Sequence, residues 1–359
     1  MTRGARRRQR RARQRAIVLG LLVVALVGGM LALFLGTTTA PTSTTTTTVS
    51  TTTTTTAQTA ATAPPPIPAT PGWGVIARTG RGVAVDQHWF TDARGARIFV
   101  LRFRKGATAF HIHVGSEDPP GANGAVPLDA QAQISPFEWR VGVLGVFNGG
   151  FKQAANAGGF AVDNFVAASL HAGAPTAVID TAGQLTIGSW GVDEPKPGHP
   201  VIAARQNLSY LIFGGRISPY ANEISPWGVT LGGVSAVART GVAVDAAGDV
   251  LYAVGSPLLP MDLAQGLAAA GAVRAMEMDI NPYWPISGAS PTPLHAAAAF
   301  KFLNPYSQHD PSIYATGWLR DFFVVMAEPT SASCAVRSPA PVPHHVTPAP
   351  PRLACAPRG

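Results

Sequence analysis

The sequence predicts an α+β protein (α/β mixed): a mixed, hairpin-rich β-sheet core with a few packing helices, preceded by one N-terminal transmembrane helix. Three observations predict it. Short alternating stretches separated by Asp/Gly turns run through the middle of the 359-residue chain, an amphipathic helix at 260–272 feeds directly into an alternating strand, and residues 16–36 carry no charge. A helix feeding a strand inside a hairpin-rich chain points to helices layered on a sheet around one core.

The first fifteen residues hold eight arginines and no acid, and run into the 21 uncharged residues AIVLGLLVVALVGGMLALFLG at 16–36. As a helix this stretch rises about 31 Å, enough for a bilayer core of roughly 30 Å. Arginines on its N-terminal side keep that end in the cytoplasm and place the rest outside. The alternative, a cleaved signal peptide, normally has a shorter apolar core, and both readings export the domain. The expected location is the cell membrane, single-pass, with the C-terminal domain extracellular. The formal charge of +8 equals those eight arginines, so the remainder balances 19 bases against 19 acids. Nucleic acid is thereby excluded as a partner, since binding it needs a basic face on the folded domain itself; the arginines have anionic lipid as their natural neighbour.

Residues 37–72 are threonine and proline runs with almost nothing to bury and are expected to form a disordered stalk. The tail 329–359 is proline-rich and holds both cysteines. In an oxidising compartment Cys334 and Cys355 are expected to pair as a structural clip. Between them lies the folding domain, 73–328.

Within it, 96–106 reads as a strand and 139–151 as a strand ending on Asn148, Gly149 and Gly150. Two hairpins follow, at 176–191 around Asp-Thr-Ala-Gly and at 238–255 around Asp-Ala-Ala-Gly, where glycine supplies the positive φ of a tight loop. In the helix at 260–272, Leu263, Leu267 and Ala270 share a face, Asp262 suits the start and Gly271 the stop.

The strand after it, AVRAMEMDI, carries the chemistry. Strict alternation puts Val273, Ala275, Glu277 and Asp279 on one face and Arg274, Met276, Met278 and Ile280 on the other. With the methionines against the core, Glu277 and Asp279 point together to the opposite side, Cα atoms roughly 6.6 Å apart. That spacing allows the roughly 5–9.5 Å carboxyl separation used in glycoside hydrolysis, and proximity would raise one pKa. The plain alternative is a solvated face salt-bridged to an arginine such as Arg239. His111 and His113 alternate on another strand and share a face, an arrangement open to metal ligation, a proton shuttle or a merely structural pair; they are placed here among substrate-binding candidates, with no metal assigned and the cofactor unknown. Asn281, Tyr283 and Trp284 sit just past the acidic strand, Asn281 as a ligand contact and Trp284 as packing.

VFNGGF at 146–151, ARTGVAVDAAGDVLYAVG at 238–255 and DLAQGLAAAGAVRAMEMDI at 262–280 together resemble, in order and spacing, the signatures of the phosphodiester glycosidase family, with this chain a divergent, membrane-anchored, bacterial-type member. The resemblance implies a sugar-phosphodiester site with the Asn-Gly turn on Asn148, Gly149 and Gly150, the Arg-Thr strand start on Arg239 and Thr240, and the aspartate on Asp279. Where the family usually continues with glycines, DINPYW follows, and Pro282 has no N–H to offer a phosphate. The expected function is hydrolysis of sugar-phosphate diesters or related cell-envelope glycans. Asp279 and Glu277 would share acid/base or nucleophile duty, Arg239 would neutralise the phosphate, and Asn148 with its glycines would orient the substrate. The alternative is a noncatalytic cell-wall or polysaccharide-binding module on the same fold.

Overall fold

The computed structural model describes residues 65–328 apart from 120–125, 128–129, 156, 164 and 229–232, together with the backbone of 334–336 and 353–355. These residues belong to the compact unit Thr62–Gly359. In chain order its strands and helices are β1 Gly74–Thr79, β2 Gly82–Thr91, β3 Arg97–Phe103, β4 Thr108–His113, α1 Pro136–Val141, β5 Val143–Asn148, β6 Phe160–Val162, β7 Phe165–Ala168, β8 Pro175–Asp180, β9 Leu185–Ser189, β10 Val201–Gln206, β11 Tyr210–Phe213, β12 Arg216–Ile217, β13 Val237–Asp245, β14 Val250–Leu258, α2 Pro260–Ala269, β15 Ala272–Ile280, β16 Ser287–Leu294, β17 Phe302–Leu303, β18 Phe322–Ala327, β19 Cys334–Val336 and β20 Leu353–Cys355.

The predicted mixed α+β class is corrected to a mainly β protein whose ladders are antiparallel. One sheet has the order β1-β2-β3-β14-β13-β15-β11-β12, a second β7-β6-β10-β8-β9, a third β17-β16-β5-β18-β4. The sequence misled for a definite reason. Helix α2 does join two strands that run the same way, as a βα unit would, but β13 pairs antiparallel with both β14 and β15 and stands between them. A single interposed strand turns an apparent parallel crossover into an antiparallel sheet, and hydrophobic periodicity carries no information about it.

The main core lies on one face of the large sheet and draws Leu101, Phe103, Val242, Tyr252, Met276 and Met278 against Phe147 and Phe323 of the third sheet and Phe160 and Ile187 of the second. On its other face α2 packs Leu263 and Leu267 onto Ile98, Val100, Leu251 and Ala275. Strand β3 is buried on both sides, which is why it reads as a continuous apolar run. Burying each of those two leucines stabilises by about 1.5–3 kcal/mol. Pro260 opens the helix and Asp262 caps it, its carboxylate accepting from the Leu259 N–H at 2.7 Å. Gly266 is needed where the helix crosses β3, since a Cβ there would meet Ile98 at 2.8 Å.

The expected membrane span, 16–36, and the expected stalk as far as residue 64 lie outside the described residues, while the last stalk residues are ordered against the domain, Ile67 bridging Gly82 and donating its N–H to the Arg81 carbonyl at 2.7 Å; among the described residues no helix is long and apolar enough to cross a membrane. The side chains of Cys334 and Cys355, on which the expected disulfide rests, lie outside the described residues as well. At the backbone, β19 and β20 form a ladder with Cys334 opposite Cys355.

Candidate functional site

Asn148 ends β5 and is spent on holding two sheets together. Its Oδ1 accepts from the Tyr252 hydroxyl at 2.8 Å, and its Nδ2 donates to Thr240 Oγ1 at 3.0 Å. The Thr240 hydroxyl in turn donates to the Asp279 carbonyl at 2.7 Å. A buried amide needs such partners to offset its desolvation, and this set binds the third sheet to three strands of the large one. Asn148 and Thr240, expected at the site, thus have their side-chain polar atoms engaged within the chain. The glycines after Asn148 do serve close approach. Gly149 N–H donates to the Asp321 carbonyl at 2.8 Å and Gly150 N–H to Asp321 Oδ2 at 3.1 Å. A Cβ at Gly149 would land on the Asp321 carboxylate.

The two acids of β15 do not act on one face. Gly241 pairs with Glu277, but Arg239 pairs with Ile280, so the ladder slips by one residue and Met278 and Asp279 together oppose Thr240. Such a bulge breaks alternation and re-aims the side chains beyond it. Glu277 lies wholly inside, its Oε1 2.6 Å from Arg239 Nη1. Arg239 is also wholly buried, and its guanidinium donates to the carbonyls of Leu258 at 3.0 Å, Ser235 at 3.1 Å and Trp227 at 3.3 Å. Glu277 and Arg239 thus form a buried ion pair in which Glu277 Oε2 has no hydrogen-bond partner among the described residues. Burial pushes the Glu277 carboxyl up to about 7 against the opposing pull of Arg239.

Asp279 is placed differently, 5% exposed at the end of β15. Its backbone N–H donates to Gly149 O at 3.1 Å, its Oδ1 accepts from the Ile280 N–H at 3.0 Å, and its Oδ2 lies 2.8 Å from Arg320 Nη2. Burial raises its carboxyl to about 7; Arg320 pulls it down and Asp321 adds to the rise. Arg320 also donates from Nη2 to Gly150 O at 2.8 Å and has Nε 3.1 Å from Asp118 Oδ2, while its buried Nη1 has no hydrogen-bond partner among the described residues. Asp321 faces Arg205, whose Nε lies 2.8 Å from its Oδ2. Asp118, Asp279 and Asp321 thus share two guanidinium groups. Over them sits Trp284, half-buried, with the Arg320 guanidinium 4.9 Å and the Lys152 ammonium 5.2 Å from its ring. Tyr283, 54% exposed, and His309 extend this aromatic rim. Asn281 turns the chain between Asp279 and the rim with φ 78°, in the left-handed region that asparagine tolerates.

The sequence reading missed Arg320, Asp321, Arg205 and Lys152. The one signal available was an Arg-Asp pair directly ahead of the apolar strand FFVVMA, where a solvated charge would not be expected. Asn207, in a sequence acceptable for N-glycosylation, is wholly buried, accepting from the Phe151 N–H at 3.0 Å and donating to the Glu277 carbonyl.

His111 and His113 lie elsewhere, on the α1-covered face of β4, and do not join Asp279. In the ladder His113 pairs with Phe322, and Phe322 with Asn148, so two strand spacings, on the order of 10 Å, separate His113 from the Asn148 backbone. Both histidines meet Glu138. Burial disfavours a charge on His111, but Asp163 and Glu138 overcome it and hold its pKa up at about 10.

No family model and no curated protein matches the chain. Solved structures similar to it include the zebrafish N-acetylglucosamine-1-phosphodiester alpha-N-acetylglucosaminidase catalytic domain auto-inhibited by its pro-peptide, at 14% identity and a TM-score of 0.44, covering 72% of this chain and 88% of that one. Others are a hypothetical protein from Synechocystis (12% identity, TM-score 0.39, 69% and 63% covered) and a protein of Burkholderia pseudomallei described as exported (11%, 0.31, 70% and 76%).

Proposed function

We propose that the chain is an exported hydrolase of sugar-phosphate diesters or related envelope glycans, with Asp279 as its acid/base group. The observation that carries this reading is the pairing of a carboxyl held at about 7 with Arg320, whose buried Nη1 has no hydrogen-bond partner among the described residues. A proton donor or acceptor works best with a pKa near the working pH. A planar guanidinium with a spare N–H suits an anionic phosphate oxygen. Lys152 adds a second positive charge beside the ring of Trp284, and Trp284 with Tyr283 offers an aromatic surface on which a sugar ring can stack. In this scheme the diester oxygen meets Arg320, the sugar rests on Trp284, and Asp279 passes a proton at the scissile bond. Glu277 and Arg239 hold the strand behind it, and Asn148 and Thr240 fix the end of β15.

The near-complete burial of Asp279 favours a second reading, a noncatalytic glycan-binding module using the same aromatic rim. Incubating the purified full chain with a series of α-glycosyl phosphodiesters separates the two. Release of free sugar that Asp279→Asn abolishes while glycan binding persists supports the hydrolase; binding without turnover across the series supports the module. Turnover undiminished in Asp279→Asn refutes the assignment.

A further inference from the structure

His111, His113 and Glu138 form a second cluster of titratable side chains, with no part in the hydrolase reading. The histidines are two apart on β4 and face α1, where Glu138 is held by a reciprocal cap: its Oε2 accepts from the Ser135 N–H at 2.6 Å, and its own N–H donates to Ser135 Oγ at 3.2 Å. The other carboxylate oxygen, Oε1, lies 2.7 Å from His113 Nε2 and 3.1 Å from His111 Nδ1.

The far nitrogen of each ring already has a partner that can only accept. His113 Nδ1 is 2.5 Å from the Gln131 carbonyl, and His111 Nε2 is 3.4 Å from Asp163 Oδ2. Each far nitrogen therefore carries the proton, and in a neutral ring the near nitrogen turns a lone pair toward Glu138. Three lone-pair atoms then converge within 4.8 Å of one another, an arrangement that repels unless a cation stands among them. Two further protons would supply one, making two imidazolium rings with centroids 5.1 Å apart, one of them without solvent exposure. Glu138 and Asp163 would balance those two charges, so the protonated pair is the alternative that metal titration must separate from a bound ion. A single divalent ion meets all three atoms at once and balances the charges of Glu138 and Asp163.

We propose that His111 Nδ1, His113 Nε2 and Glu138 Oε1 form a binding site for a divalent transition-metal ion of the zinc class. Two imidazoles and one carboxylate are a donor set that zinc and its neighbours favour over magnesium or calcium. The Gln131 carbonyl and Asp163 carboxylate are the outer partners that fix the tautomer of metal-bound histidines. The His113 ring is further held flat against Phe322, centroids 4.7 Å apart at an interplanar angle of 6°. An ion would enter past His111 and Asp163, each 8% exposed, and would tie α1 to β4.

The test uses the full chain, stripped with a chelator and then titrated with zinc or cobalt(II). The expected result is one high-affinity equivalent per chain, a raised melting temperature with zinc that chelator reverses, and visible d–d absorption from bound cobalt. His113→Gln should abolish that equivalent, and Asp163→Asn, which keeps all three ligands, should weaken it about 10- to 100-fold. If His113→Gln fails to fold, the wild-type cobalt spectrum and the Asp163→Asn affinity decide. The proposal is overturned if the wild-type chain takes up no stoichiometric metal and nitrogen-resolved NMR shows both rings doubly protonated in excess zinc. It is equally overturned if uptake survives both substitutions unchanged.

Discussion

Replacing Asp279 with asparagine should make the protein more stable at neutral pH and change how its stability depends on pH. The asparagine keeps the shape of the side chain but cannot ionise. In the wild type the carboxyl is raised from an ordinary 3.8 to about 7, chiefly by burial. A group whose folded pKa is raised contributes stability that is present below the unfolded pKa and is lost as pH rises through the folded one. The wild type should therefore lose stability between pH 3.8 and about 7 on account of this residue. At roughly 1.4 kcal/mol per pH unit, the loss is on the order of 4 kcal/mol. Denaturant unfolding of both full-length proteins at half-unit pH steps reads it directly. The two curves should nearly meet near pH 4 and diverge upward, with the variant the more stable at pH 8. Parallel curves across that window would refute the account of Asp279 as a buried, proton-holding carboxyl, and the acid/base role with it.

Other outcomes follow from the same geometry. Arg320→Ala should lower kcat/KM for a phosphodiester by about 10²–10³, as loss of a charge-stabilising donor does, and Arg320→Lys should restore little because an ammonium lacks the planar fork; equal rates for Arg320→Lys and wild type would contradict the clamp. Glu277→Gln should retain substantial turnover and shift the pH dependence of stability in the same direction as Asp279→Asn, since burial raises this carboxyl to about 7 as well; loss of turnover in a protein of unchanged stability would return Glu277 to the catalytic group. Gly149→Ala should displace Asp321 and lower the thermal midpoint, readable by calorimetry. Trp284→Ala should raise KM for the sugar-phosphate more than it lowers kcat, if the ring serves as the sugar platform.

Local order fixed much of what could be read in advance. The strand at 96–106, both hairpins and the α2 helix with Asp262 at its start were legible because periodicity, turn residues and caps are short-range properties, whereas the strand expected over 139–151 is only Val143–Asn148, its first residues belonging to α1. Met276 and Met278 were rightly placed against the core for the same reason. The sequence alone also marked β15 as a strand whose two acids, set in an otherwise apolar run, demand partners, and each has an arginine beside it. The salt bridge to Arg239 that it set against catalysis is found at Glu277, but buried and not on the solvated face expected with it.

Tertiary structure alone decided the rest, because each remaining feature depends on residues far apart in the chain. β13 inserts between β14 and β15 and makes the sheet antiparallel. The one-residue slip opposite Thr240 separates Glu277 from Asp279, and a ladder slip is a property of two strands, invisible in either one. Arg320 and Asp321 reach Asp279 only because β18 lies beside β5 in the third sheet. Likewise Glu138 meets the two histidines only through the packing of α1 on β4, so that ion pairing, the longest-range and most position-sensitive of the interactions involved, is the part of the site that sequence spacing could not supply.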